Sequence, residues 1–83
     1  MIPQSQFGSG SINDGAAFLV AVGRRIKARR VAEKLSQSDL SRLVGLPQSQ
    51  FSDIERGKRS LRVDQLRAIA IMLQVSMAYL LGE

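Results

Sequence analysis

Apolar positions along this chain recur at the three- and four-residue steps of helices, and five such segments can be marked off by their caps and breakers. The first, AAFLVAVGRRIKARRVAEK, predicts a helix capped by Asn13 or Asp14, with Phe18, Val22 and Ile26 along one face at intervals of four. Gly23 lies inside it at a cost of about 1 kcal/mol relative to Ala, which close packing of another helix would justify. Ser36 and Asp39 form an S-x-x-D capping box that opens a second helix over residues 37–44. A third begins near Pro47, whose fixed φ suits a first helical turn, and ends near Arg56, before Gly57. The fourth runs from Val63 to Leu73 with Leu66, Ile69, Ala70 and Leu73 on one face, and Ser76 caps a fifth, MAYLL, that stops at Gly82. The expected fold is therefore all-α, a compact five-helix bundle without strands, internal repeats or heptads.

Within that bundle the stretch QSDLSRLVGLPQSQFSDIER, residues 37–56, is the most informative. Leu40, Val44, Leu46, Phe51 and Ile54 are spaced so that two short helices folded across one another share one wedge of core. Gly45 can take the left-handed conformation that turns the chain between them, and Ser41 is small where they would cross. This is the pattern of a helix-turn-helix, whose second helix must stand out far enough to enter a major groove.

Charge supports that direction. The chain of 83 residues carries 12 Lys and Arg against 7 Asp and Glu, a formal charge of +5, which favours a polyanionic partner. Residues 1–13 are uncharged and rich in Gly and Ser, so they read as a flexible arm ahead of a single domain over residues 14–83. With neither His nor Cys, no disulfide and no thiolate or imidazole metal site is expected. No glycine-rich phosphate loop or acid pair stands out either, so neither an enzyme nor a cofactor is expected. The apolar run of residues 16–22 is too short to span a bilayer, and the acidic residue before it and Arg24 and Arg25 after it reverse the order of a secretory signal. A cytoplasmic protein is expected.

On a wheel of about 100° per residue, Phe51, Ile54 and Glu55 fall on one side of the third helix and Ser49, Ser52, Asp53 and Arg56 on the other. Gln48, at its leading end, can offer a donor and an acceptor together to an adenine edge. Ser49 and Ser52 can bond a base or a phosphate, and their small size lets a helix sit deep in a groove. An ordinary solvated face is the competing reading. Gln37, where the second helix begins, is placed to hold a phosphate through its side chain and the free amides there. Lys58 and Arg59 follow the third helix as cations near the phosphate track, with Arg62 beyond them. The six basic residues from Arg24 to Lys34 wrap around most of the first helix, so some must face solvent; Arg30 is the candidate to turn inward, and Glu55 is the carboxylate placed to meet it. Asp53 would be repelled by phosphate unless it accepts from a cytosine amino group, which makes it a candidate for rejecting wrong sites.

With RIKARR, LSQSDLSRLVGL, PQSQFSDIERGKR and LRAIAIMLQVSMAYLL in hand, the chain resembles the lambda-repressor-like, Cro-type helix-turn-helix regulators known as the XRE family, over about residues 18–81. The resemblance implies a five-helix bundle whose third helix reads bases through Gln48, Ser49 and Ser52. It implies phosphate contacts from Gln37, Lys58 and Arg59, and a buried pair of Arg30 with Glu55. Three residues depart from the family pattern: Pro47 where Ser or Thr usually caps the third helix, Phe51 where Val or Ile is usual, and Ser41 where Ala is common. The implied function is a repressor-like regulator bound to double-stranded DNA as a homodimer on a palindromic operator, with Met77, Tyr79, Leu80 and Leu81 as candidates either for the dimer contact or for the core. An antitoxin-like protein that chiefly masks a protein partner is the alternative. A membrane-surface binder using FLVAVGRRIKARR as a basic amphipathic helix is a more distant one.

Overall fold

Five helices follow one another in the computed structural model, which describes residues 11–83: α1 (Ser11–Ala32), α2 (Gln37–Leu43), α3 (Gln48–Glu55), α4 (Val63–Leu73) and α5 (Met77–Leu81). No strand occurs among the described residues. α1 packs against α3, α4 and α5, and α2 against α3 and α4, so α1 and α4 flank the α2–α3 pair. Val22, Ile26, Leu40, Phe51, Ile54, Leu66, Ile69, Leu73 and Leu80 form one continuous core, to which every helix contributes. Phe51 is fully buried at its centre, where an aromatic side chain contributes about 1.5 to 3 kcal/mol by leaving water.

The caps are built from the residues that mark them. The Ser36 hydroxyl accepts from the Asp39 backbone N–H at 2.9 Å and the Asp39 carboxylate accepts from the Ser36 N–H at 3.1 Å, closing the box at the start of α2. That backbone hydrogen bond from Ser36 is the largest of the influences holding the Asp39 carboxyl below its ordinary value. The Ser76 hydroxyl accepts from the Tyr79 N–H at 2.9 Å and opens α5. Gly45, at φ 73°, turns the chain between α2 and α3, and the Leu46 N–H closes the turn onto the Ser41 carbonyl at 2.8 Å.

α1 differs from expectation at both ends. It begins at Ser11, so Asn13 and Asp14 lie within the helix rather than capping it. The remainder of the expected arm, residues 1–10, lies outside the described residues. At its other end α1 stops at Ala32, and Lys34 takes the left-handed conformation at φ 60° without a glycine. Phe18, expected on the buried face, is 46% exposed, because α1 runs on past the elements that cover Val22 and Ile26. Those two residues are taken by the core. No described helix is long and apolar enough to cross a membrane.

Gly23 earns its place by contact. A Cβ there would stand 2.6 Å from the Ile54 carbonyl oxygen and 2.8 Å from the Glu55 carbonyl carbon, so the α1 backbone rides directly on the last turn of α3. Two arginines of the same helix serve its other neighbours. Arg25 donates to the Leu80 carbonyl at 3.5 Å and Arg29 to the Leu73 carbonyl at 3.4 Å, bringing positive charge to the negative ends of α5 and α4.

Candidate nucleic-acid interface

α3 has one side locked into the protein and the other turned outward. Phe51, Ile54 and Glu55 are buried, whereas Ser49 and Arg56 are exposed and Ser52 and Asp53 half-buried. Gln48, the first residue of the helix, is exposed. Pro47 precedes the helix proper as its cap residue, at φ −59° and ψ 142°, and supplies no side-chain hydrogen bond to the opening turn. Gln48, Ser49, Ser52, Asp53 and Arg56 thus form a short polar ridge of small or extensible side chains.

The buried side of α3 is tied down by a charged cluster. The Arg30 Nε donates to Glu55 Oε2 at 2.6 Å and its Nη2 to Glu55 Oε1 at 3.1 Å, a two-pronged ion pair, while its Nη1 donates to the Leu35 carbonyl at 2.8 Å. Both residues are buried, so each charge depends on the other. The Gln37 Nε2 donates to the same Glu55 Oε1 at 2.9 Å. This contact is not evident from spacing along the chain. One N–H of the Gln37 amide is thereby committed to Glu55. The start of α2 and the end of α3 are held together by this arrangement.

Beyond α3 the chain stays in register with it. The Gly57 N–H donates to the Ile54 carbonyl at 3.1 Å and the Lys58 N–H to the Asp53 carbonyl at 2.9 Å, so the loop carrying Lys58 and Arg59 leaves from a fixed point. Both cations are exposed. Arg62 is exposed too, but it pairs with Asp64 at 3.0 Å. An ion pair not foreseen from the sequence lies on the outward ridge itself, Asp53 Oδ1 with Arg56 Nη2 at 3.1 Å; the i,i+3 spacing was the available signal.

Comparison with known proteins also finds a helix-turn-helix. Residues 26–80 match the family model HTH_3, described as helix-turn-helix. The chain belongs to this family. Among HTH_3 relatives, the immunity repressor protein of Bacillus phage phi105 is 36% identical over 64 residues, covering 77% of this chain and 44% of that protein. An uncharacterised transcriptional regulator in the ATPase CF(0) region of Rhodospirillum rubrum is 34% identical over 62 residues, covering 75% of this chain and 57% of that protein. The chain spans about half the length of the curated relatives it matches. The crystal structure of the restriction-modification controller protein C.AhdI from Aeromonas hydrophila superposes with a TM-score of 0.74 at 34% identity, covering 77% of this chain and 97% of that one. In this HTH_3 domain α2 and α3 are the helix-turn-helix, and the polar ridge is the outward side of its second helix.

The C-terminal residues divide. Leu80 is fully buried, and Met77 and Leu81 are half-buried against the core, so of the two alternatives for Met77, Tyr79, Leu80 and Leu81 the core accounts for three and leaves Tyr79 outside. α5 is too short to satisfy its apolar residues without docking onto α1 and α4. Tyr79 is 47% exposed, as are Ile71 and Met72 of α4 at 52% and 40%.

Proposed function

We propose that the chain is a sequence-specific, DNA-binding transcriptional regulator of the repressor kind, which binds a palindromic operator as a homodimer with α3 in the major groove. The observation that carries this reading is the position of the α3 ridge. Its inner side is fastened by Phe51, Ile54 and the Arg30–Glu55 pair, and the C-terminal end of α3 gathers Gln37, which bonds Glu55, with the loop that carries the exposed Lys58 and Arg59. In this arrangement Gln48, Ser49 and Ser52 meet base edges, and Gln37, Lys58 and Arg59 meet phosphates. The names of the relatives, a repressor and a transcriptional regulator, support the same reading. One ridge of this size touches few base pairs, so tight specific binding calls for two. Tyr79, Ile71 and Met72 offer uncharged apolar surface through which two chains of +5 can meet. A masking protein partner, as in an antitoxin, would compete for that same surface.

Selection of duplexes from a random pool by the purified chain tests the proposal. The expected product is a symmetric site with half-sites about 34 Å apart. No enrichment of any sequence at low ionic strength would overturn it. On the selected site, Gln48→Ala is expected to cost about 1 to 3 kcal/mol and to relax preference at one base position; an equal loss on random DNA would remove Gln48 from the base contacts. Lys58→Ala should weaken all sequences alike and lower the slope of log affinity against log salt by about one, and an unchanged slope would exclude its phosphate contact.

A further inference from the structure

Resting on the DNA-binding reading above, we propose that Asp53 and Arg56 act together to read one C·G base pair. The two side chains are joined on the outward ridge of α3 at 3.1 Å, with side-chain exposures of 41% and 58%. A pair this exposed adds little to folding stability, so holding the helix together does not account for it. Its place matters more. A lone carboxylate on a ridge that faces DNA would be repelled by every phosphate, but the Arg56 guanidinium cancels the charge of Asp53 and leaves the ridge neutral.

The chemistry then selects the base pair. Asp53 offers only acceptors and Arg56 only donors. In the major groove a C·G pair sets the cytosine N4 amino donor beside the guanine O6 and N7 acceptors, the complement of that row. Thymine would turn its O4 acceptor toward the carboxylate, and an A·T pair never presents two adjacent acceptors to a guanidinium. Reach is sufficient, because side chains on a helix lean toward its N-terminus, which carries the long Arg56 side chain back over Asp53 toward the end of α3 that enters the groove. Asp53 thereby rejects wrong pairs as well as accepting the right one.

Parallel selections with the full chain and with its Asp53→Asn and Arg56→Gln variants decide the matter. The unaltered chain should enrich an invariant C·G pair at one position of each half-site. Each variant should lose about tenfold in preference at that same position while keeping the others, and the double variant should lose little more than either alone. Thermal midpoints close to that of the unaltered chain would show the variants folded. The proposal is overturned if the two substitutions affect different positions, or if Asp53→Asn merely tightens binding to all duplexes equally, as removal of a negative charge would. Failure of the unaltered chain to enrich any duplex would instead overturn the DNA-binding reading beneath it.

Discussion

Replacing Glu55 with Ala is expected to cost the fold about 3 to 5 kcal/mol, a large part of the stability of a domain this size. The substitution leaves the Arg30 guanidinium buried with the Leu35 carbonyl but without its carboxylate. The cost of a buried, unpaired charge outweighs the modest gain from a better helix former at the end of α3. Chemical denaturation followed by circular dichroism measures the change. A second variant separates burial from pairing: exchanging both residues for apolar ones of similar volume, Arg30→Met with Glu55→Leu, should recover most of the loss. A loss below about 1 kcal/mol for Glu55→Ala would mean that water reaches Arg30 and that the pair is not what fastens α3 to α1.

Gly57→Ala should cost about 2 to 5 kcal/mol, because two penalties act in the same direction. Gly57 sits at φ 75°, where a Cβ is strained, and that Cβ would lie 2.6 Å from the Val20 Cα and 2.7 Å from its backbone nitrogen. Neither obstacle is a flexible side-chain end that could swing aside. Gly45 provides the control. It has nearly the same φ, 73°, but nothing within 4 Å of its Cβ position, so Gly45→Ala should carry only the backbone penalty of about 1 to 2 kcal/mol. Equal losses at the two glycines would show that α1 does not press on the end of α3 as closely as the geometry indicates.

These effects also mark how much could be read from the chain alone. α4 was legible because Leu66, Ile69, Ala70 and Leu73 keep helical spacing, α5 because Ser76 and Gly82 are boundary signals with local causes, and the α2 box needs only Ser36 and Asp39. The outward side of α3 was legible because Phe51, Ile54 and Glu55 mark its buried side at helical spacing. Features that depend on distant neighbours were not. Phe18 has the same four-residue step as Val22 and Ile26, yet periodicity cannot say where the covering helices stop. Nor could spacing show that Gln37, eighteen positions from Glu55, would share its carboxylate, or that Lys34 and Gln74 would adopt left-handed turns that glycine usually fills. The Asp53–Arg56 pair was within reach as a local motif, but its meaning depends on which side of α3 the bundle leaves open.

Arg25, Arg29 and Arg30 are engaged with carbonyls and carboxylates of the bundle, and Arg42, Arg56 and Arg62 each carry an acidic neighbour. Counterions displaced from a polyanion should therefore number far fewer than the cationic residues of the chain, and the formal valence overstates its grip. In the proposed complex, the sensitivity to potassium chloride reports those exposed cations that lie along the duplex, with Lys58 and Arg59 at the rim of α3 expected among them.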